Sequence, residues 1–184
     1  MSAPCLAATL DQFGGPEQVQ MRDMALPAPG RGEIVVRVRA ASVNPIDTRR
    51  RAGYGRRLMS VLGAARLPLV LGNDFAGTVC AVGRGVTAFR EGDSVFGAKP
   101  PSRQGSHATH VALDAALALH QPQGMAAEQL ATLPYNFLTV SRALAGAGVT
   151  HSAVHQHVAP VHGASGGLGL IALRLLHALS LIHI

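Results

Sequence analysis

Gly163-Ala-Ser-Gly-Gly-Leu-Gly169 is the segment of this sequence best suited to chemistry. Pyrophosphate can reach main-chain amides only where the chain turns sharply without side chains, at the N-terminus of a helix whose dipole favours an anion. Here Gly166 permits the close approach and Gly169 tight packing of the helix. Ser165 offers a hydroxyl to a phosphate oxygen, and Ala164, Gly167 and Leu168 complete the turn. The flanks read as strand (Val158-Ala-Pro-Val-His162) and helix (Leu170 to Ala178), the first half of a βαβ unit that binds a dinucleotide. Pro160 conflicts with a central strand, because its missing N–H removes a ladder bond. Two other readings stay open: a purely structural glycine turn, and a G-x-S-x-G nucleophile elbow at Ser165. The elbow requires an acid and then a histidine later in the chain, and no Asp or Glu follows Glu128.

A second constellation is Ala41-Ser-Val-Asn-Pro-Ile-Asp47. Local structure alone would justify it, with Asn44 as helix N-cap, Pro45 at the first helical position and Asp47 at the third. His151, His155 and His157 have a spacing that suits a metal, yet no carboxylate or thiolate nearby completes a ligand set. A solvated connector is the plainer reading. His162 reads as a packed strand residue.

The elements that must position these groups fall into two parts. Glu33-Ile-Val-Val-Arg-Val-Arg39 alternates, with Ile34, Val36 and Val38 on one face, and predicts a half-buried strand. Phe75 to Val82, Val95-Phe96 and His107 to Leu113 predict further short strands separated by glycine and proline, as in a small barrel or sandwich. After Pro122 the pattern turns helical over Met125 to Ala131 and Tyr135 to Ala145, broken by Pro134 and ended by Gly146 and Gly148. No internal repeat is visible. The closing Leu179-Ser-Leu-Ile-His-Ile184 equals one reading frame of a transposase-type sequencing adapter and is expected to be a non-native tail.

The chain has 184 residues, 48% of them apolar and only 14% charged, which suits a buried core and excludes a disordered polyelectrolyte. Basic residues number 16 against 10 acidic. Arg49, Arg50, Arg51, Arg56 and Arg57 crowd one segment. With no nucleic-acid motif beside it, that cluster reads as a solvated face or a rim attracting a phosphorylated cofactor. Cys5 and Cys80 cannot build a thiolate zinc cluster, and a reducing cytoplasm is the expected compartment. The N-terminus is a poor signal peptide, and no apolar run reaches the ~18 residues of a membrane span.

Taken in order, these strings resemble the medium-chain dehydrogenase/reductase superfamily, and within it the zinc-free quinone oxidoreductases. The resemblance rests on Ala41 to Asp47, Gly53-Tyr-Gly55, Pro68-Leu-Val-Leu-Gly-Asn-Asp-Phe-Ala-Gly77, Gly92-Asp-Ser-Val-Phe96, Leu133-Pro-Tyr-Asn-Phe-Leu-Thr139 and Val161 to Gly169. It implies an α/β chain: a GroES-like barrel domain over residues 1–124, then an incomplete Rossmann domain over 125–178, with the nicotinamide between the two. Zinc-dependent relatives carry Gly-His-Glu where this sequence has Gly72-Asn73-Asp74, and a cysteine near Asn44, so no metal is expected. By position the resemblance assigns Asn44 and Asp47 to catalysis, with Asn44 donating to the substrate oxygen. It assigns Asn44, Thr139, Ala164, Ser165, Gly166, Gly167, Leu168 and Gly169 to the cofactor. Several quinone reductases have a tyrosine where this chain has Arg49, with Tyr54 nearby. The implied activity is NADPH-dependent hydride transfer, NADH not being excluded, to a quinone or α,β-unsaturated carbonyl. The full-length protein is expected to be a homodimer, and the stretch in hand a fragment that binds dinucleotide weakly. A non-catalytic dinucleotide-binding scaffold of the same fold is the alternative.

Overall fold

The computed structural model describes residues 4–61, 63, 65–101, 104–149 and 160–179. The chain divides into two compact units, Met1–Thr132 and Leu133–Ile184. His151, His155, His157, Val158, Ala159 and residues 180–184 lie outside the described set, and with them the histidine trio, part of the expected strand and most of the adapter-like tail.

In the first unit the alternating run folds as β3 (Glu33–Ala40), paired on one side with β5 (Asp74–Val82) and on the other with β7 (His110–Asp114). Ile34 and Val36 turn into a core with Phe75, Val79, Val95, Val111 and Leu113. Val35 points to the opposite face and is buried as well. A short helix, α3 (Ala127–Leu130), packs against β3 and β5 and seals Leu130 from solvent. β6 (Ser94–Ala98) and β8 (Ala118–His120) extend the sheet to the order β7-β3-β5-β6-β8. A second sheet, β2-β1-β4, comes from β1 (Cys5–Leu10), β2 (Val19–Met24) and β4 (Leu69–Val70).

A closed GroES-like barrel was the expectation, and the sheets correct it: both are open. The predicted strand over 107–113 shows why. Only its second half joins the five-stranded ladder as β7. Its first half bonds mainly to other segments: His107 N–H donates to Leu71 O at 2.9 Å, Ala8 N–H to His107 O at 2.9 Å and Thr109 N–H to Leu6 O at 2.8 Å, while Thr109 O still accepts from Val38 N–H of β3 at 2.9 Å. The two sheets therefore meet at a single bridge, Ala7 with Ala108, rather than along a ladder that could close a barrel.

Two helices follow β3, namely α1 (Pro45–Arg51) and α2 (Arg56–Val61). The second unit pairs α4 (Pro134–Gly146), which starts on its proline, with α5 (Gly167–Ala178). Pro160 and Val161 carry no strand pairing, which accords with a residue that has no N–H to give.

Candidate functional site

The residues expected to act in the first unit gather at the start of α1. Asn44 occupies the N-cap position in extended conformation (φ −107°, ψ 157°), and Pro45 opens the helix. Asp47 reaches back so that Asn44 N–H donates to its Oδ2 at 2.8 Å, half of a capping box. Its Oδ1 accepts from Gly72 N–H at 3.1 Å. Both carboxylate oxygens of this buried residue thus hold main-chain amides, and Asp47 locks α1 to the turn before β5.

Asn44 does not use its side chain as a cap. The amide nitrogen Nδ2 donates to Ser42 Oγ at 2.9 Å and to Asp74 Oδ2 at 2.8 Å. Ser42 Oγ–H donates to the same carboxylate oxygen at 2.5 Å. A carboxylate only accepts, so the amide must present its NH2 to Asp74. Both amide hydrogens are therefore engaged inside the network. In the sequence Ser42 stands out only as part of a motif, and Asp74 only as a replaced metal position. The signal for Asp74 was a polar pair, Asn73-Asp74, enclosed by Leu69-Val-Leu71 and Phe75. Nothing local ties it to Ser42, 32 residues away.

Around this triad the backbone is closely fitted. Gly72 has φ +97°, and a Cβ there would lie 2.5 Å from Ser106 Oγ and 2.8 Å from His107 N. His107 Nε2 lies 2.9 Å from Ser42 O. Asn73 Nδ2 donates to Lys99 O at 2.9 Å. Lys99, the chain's single lysine, is itself buried and donates from Nζ to Gln104 O at 2.6 Å and Ala112 O at 3.1 Å. Burial lowers its pKa to about 8, against a smaller opposing pull from Glu33. Beside the triad an open groove of about 260 Å³ is lined by Ala40, Ala41, Ser106 and His107, with Leu6 and Met21 opposite. Among the described residues no group of three or more His, Cys, Asp or Glu side chains is placed to hold a metal ion.

In the second unit the glycine segment forms a turn that runs into α5. Gly163 has φ +75°, Gly166 N–H donates to Gly163 O at 3.0 Å, and Gly166 stands at the N-cap in extended conformation. The first helical bond comes only at Leu170 N–H to Gly166 O, 2.9 Å. The amides of Gly167, Leu168 and Gly169 thus lie in the first turn, where a helix supplies no acceptor. Residues 165–168 are exposed. Gly169 is buried, and a Cβ there would stand 2.3 Å from Gly163 O and 2.6 Å from Ala164 Cα, so only glycine lets the turn fold onto the helix. This cradle fits a diphosphate. Thr139, exposed on α4, donates its hydroxyl to Tyr135 O at 2.7 Å. Among the described residues the Ser165 hydroxyl meets no histidine, as a nucleophile elbow would require.

Residues 30–141 match the family model "Alcohol dehydrogenase GroES-like domain". The human protein "NAD(P)H oxidoreductase RTN4IP1, mitochondrial" is 33% identical, over 94% of this chain and 46% of its own length. The quinone oxidoreductase of Lama guanicoe is 35% identical, over 94% of this chain and 49% of its own. Among solved structures, the quinone oxidoreductase from Coxiella burnetii superposes with a TM-score of 0.83 at 30% identity, covering 96% of this chain and 54% of that one. The chain spans about half the length of the curated relatives it matches. One expectation is corrected by them: a cytoplasmic location does not stand, because the mouse, cattle and human relatives are named as mitochondrial proteins. By its family model and its motifs in order, this chain belongs to the medium-chain dehydrogenase/reductase superfamily, in the zinc-free, quinone-oxidoreductase-like branch.

Proposed function

We propose that the whole protein is a zinc-independent oxidoreductase using NADPH, or NADH in its place, to reduce a quinone or α,β-unsaturated carbonyl, and that it works as a homodimer. The observation that carries this reading is the exposed first turn of α5, closed by the contact of Gly169 with Gly163, which only glycine permits. The names of relatives at 33–35% identity support it. The nicotinamide, when bound, supplies the hydride. The chain's own contribution is binding and orientation. Amides 167–169 and the Ser165 hydroxyl hold the diphosphate, with Ala164 shaping the turn and Thr139 offering an acceptor. Asn44 Oδ1, its amide hydrogens spent on Ser42 and Asp74, accepts from the carboxamide of the cofactor. Asp47 acts through Asn44, as a positioning residue that fixes the N-cap. With an amide at position 73 and Asp74 bonded to Ser42 and Asn44, the site offers hydrogen-bonding groups where the zinc-dependent relatives carry metal ligands.

Oxidation of NADPH by a model quinone, catalysed by the full-length gene product, is the decisive assay. Turnover that falls with Asn44→Ala is the expected result. Nucleotide binding without turnover would favour a scaffold. Ester cleavage abolished by Ser165→Ala would favour a hydrolase and overturn the proposal.

A further inference from the structure

We infer that the arginine-rich lobe formed by the end of α1 and by α2 docks on an anionic lipid surface. From Thr48 to Asn73 the sequence holds no acidic residue, while Arg49, Arg56 and Arg57 stand exposed on this lobe. Neither the ion pair of Arg22 with Asp11 nor that of Arg90 with Asp93 involves them. Positive charge alone would fit many partners, and the apolar residues between the arginines narrow the choice. Tyr54 is 68% exposed, Leu58 67% and Val61 85%. Leu58 and Val61 lie three apart on α2 and share a helix face, and Arg57 lies four before Val61 on its edge. Arg49 stands over the Tyr54 ring, 5.9 Å from its centre.

α2 buries none of its six residues. Its Arg56 and Met59 border a small gap shared with Phe13, Arg50 and Leu69. A helix this short has little stability of its own and gains it from whatever covers it. An acidic bilayer surface supplies both things the lobe presents for: headgroup charge for the arginines, and an acyl boundary for Leu58, Val61 and the tyrosine ring. Nucleic acid answers the charge but leaves the two aliphatic side chains in water.

The test is co-sedimentation of the 184-residue chain with vesicles of phosphatidylcholine alone and of phosphatidylcholine containing phosphatidylglycerol. Binding to the anionic vesicles only, weakening with salt, is expected. Arg56→Gln with Arg57→Gln lowers the partition coefficient about 25-fold, at about fivefold per arginine. The exposed pair Leu58→Ser and Val61→Ser weakens binding at unchanged charge. The chain has no tryptophan, so Leu58→Trp gives a single indole signal whose emission shifts to the blue on anionic vesicles. Equal binding to both vesicles, or no effect of the serine pair, overturns the proposal. So does an indole shift produced by self-association or by single-stranded RNA rather than by lipid.

Discussion

The side-chain amide of Asn44 donates to the carboxylate of Asp74, 30 residues further along the chain, at 2.8 Å in a buried setting. The bond joins the first turn of α1 to the first residue of β5, so the position of the candidate site residue depends on the sheet. Asn44→Ala leaves Ser42 and Asp74 short of a donor in a buried setting, which costs about 1–3 kcal/mol. Urea denaturation of the chain measures it. Asn44→Asp is worse, because it sets a second carboxylate beside the first. An unchanged midpoint in both variants would show the network to be energetically idle.

Asp47 accepts two main-chain N–H groups, one on each oxygen. Asp47→Asn keeps one acceptor and turns an NH2 toward the other amide. A loss of about 1–3 kcal/mol follows. Hydrogen exchange reads it locally: the amides of Asn44 and Gly72 lose protection, while those in β3 keep theirs.

Gly72→Ala and Gly169→Ala test two close fits. The first meets both positive φ and the main chain at His107, the second the main chain at Gly163 and Ala164. Strain of about 1–3 kcal/mol is expected from the Gly72 conformation alone. The two variants separate by readout. Gly72→Ala lowers the melting of the first unit, whereas Gly169→Ala abolishes the nucleotide-induced thermal shift of the full-length protein.

Lys99 makes stability depend on alkaline pH. The unfolded chain keeps the Lys99 proton up to the ordinary value of 10.5, the folded chain only to about 8. Between these values the unfolded state binds more protons, so stability rises with pH across the window, by at most about 3 kcal/mol. Below the window the buried charge is a standing cost. Urea melts below 8 and near 10, for the parent and Lys99→Met, check this by difference. The same increment in both proteins would assign the effect to other groups.

Elements with strong internal periodicity were legible in the sequence. β3, β5 and β6 fall where alternation and turn residues place them, and α4 begins on Pro134 as expected of a residue that needs no donor. β1 and β2 carried no such signal, since β2 is exposed along nearly its whole length and has no apolar face to alternate. β4 has only two residues. The barrel expectation failed at 107–109 because most of those amides and carbonyls bond to Leu6, Ala8 and Leu71, the first two about a hundred residues away. The glycine turn into α5 could be read because its residues are contiguous. The Ser42–Asn44–Asp74 network could not, because hydrogen-bond partners from separate strands leave no spacing to recognise.

Neither sheet closes on itself, and that leaves margins able to recruit a foreign strand. β2 is the most exposed of them, pairing among the described residues with β1 alone. Its centre carries Arg22 and Asp23, and Arg22 is tied to Asp11. Charged side chains there make stacking of a second copy unfavourable. At the far margin β8 offers only three residues to grip. Neutralising Arg22 and Asp23 would thus remove the charge that guards this edge against a second strand.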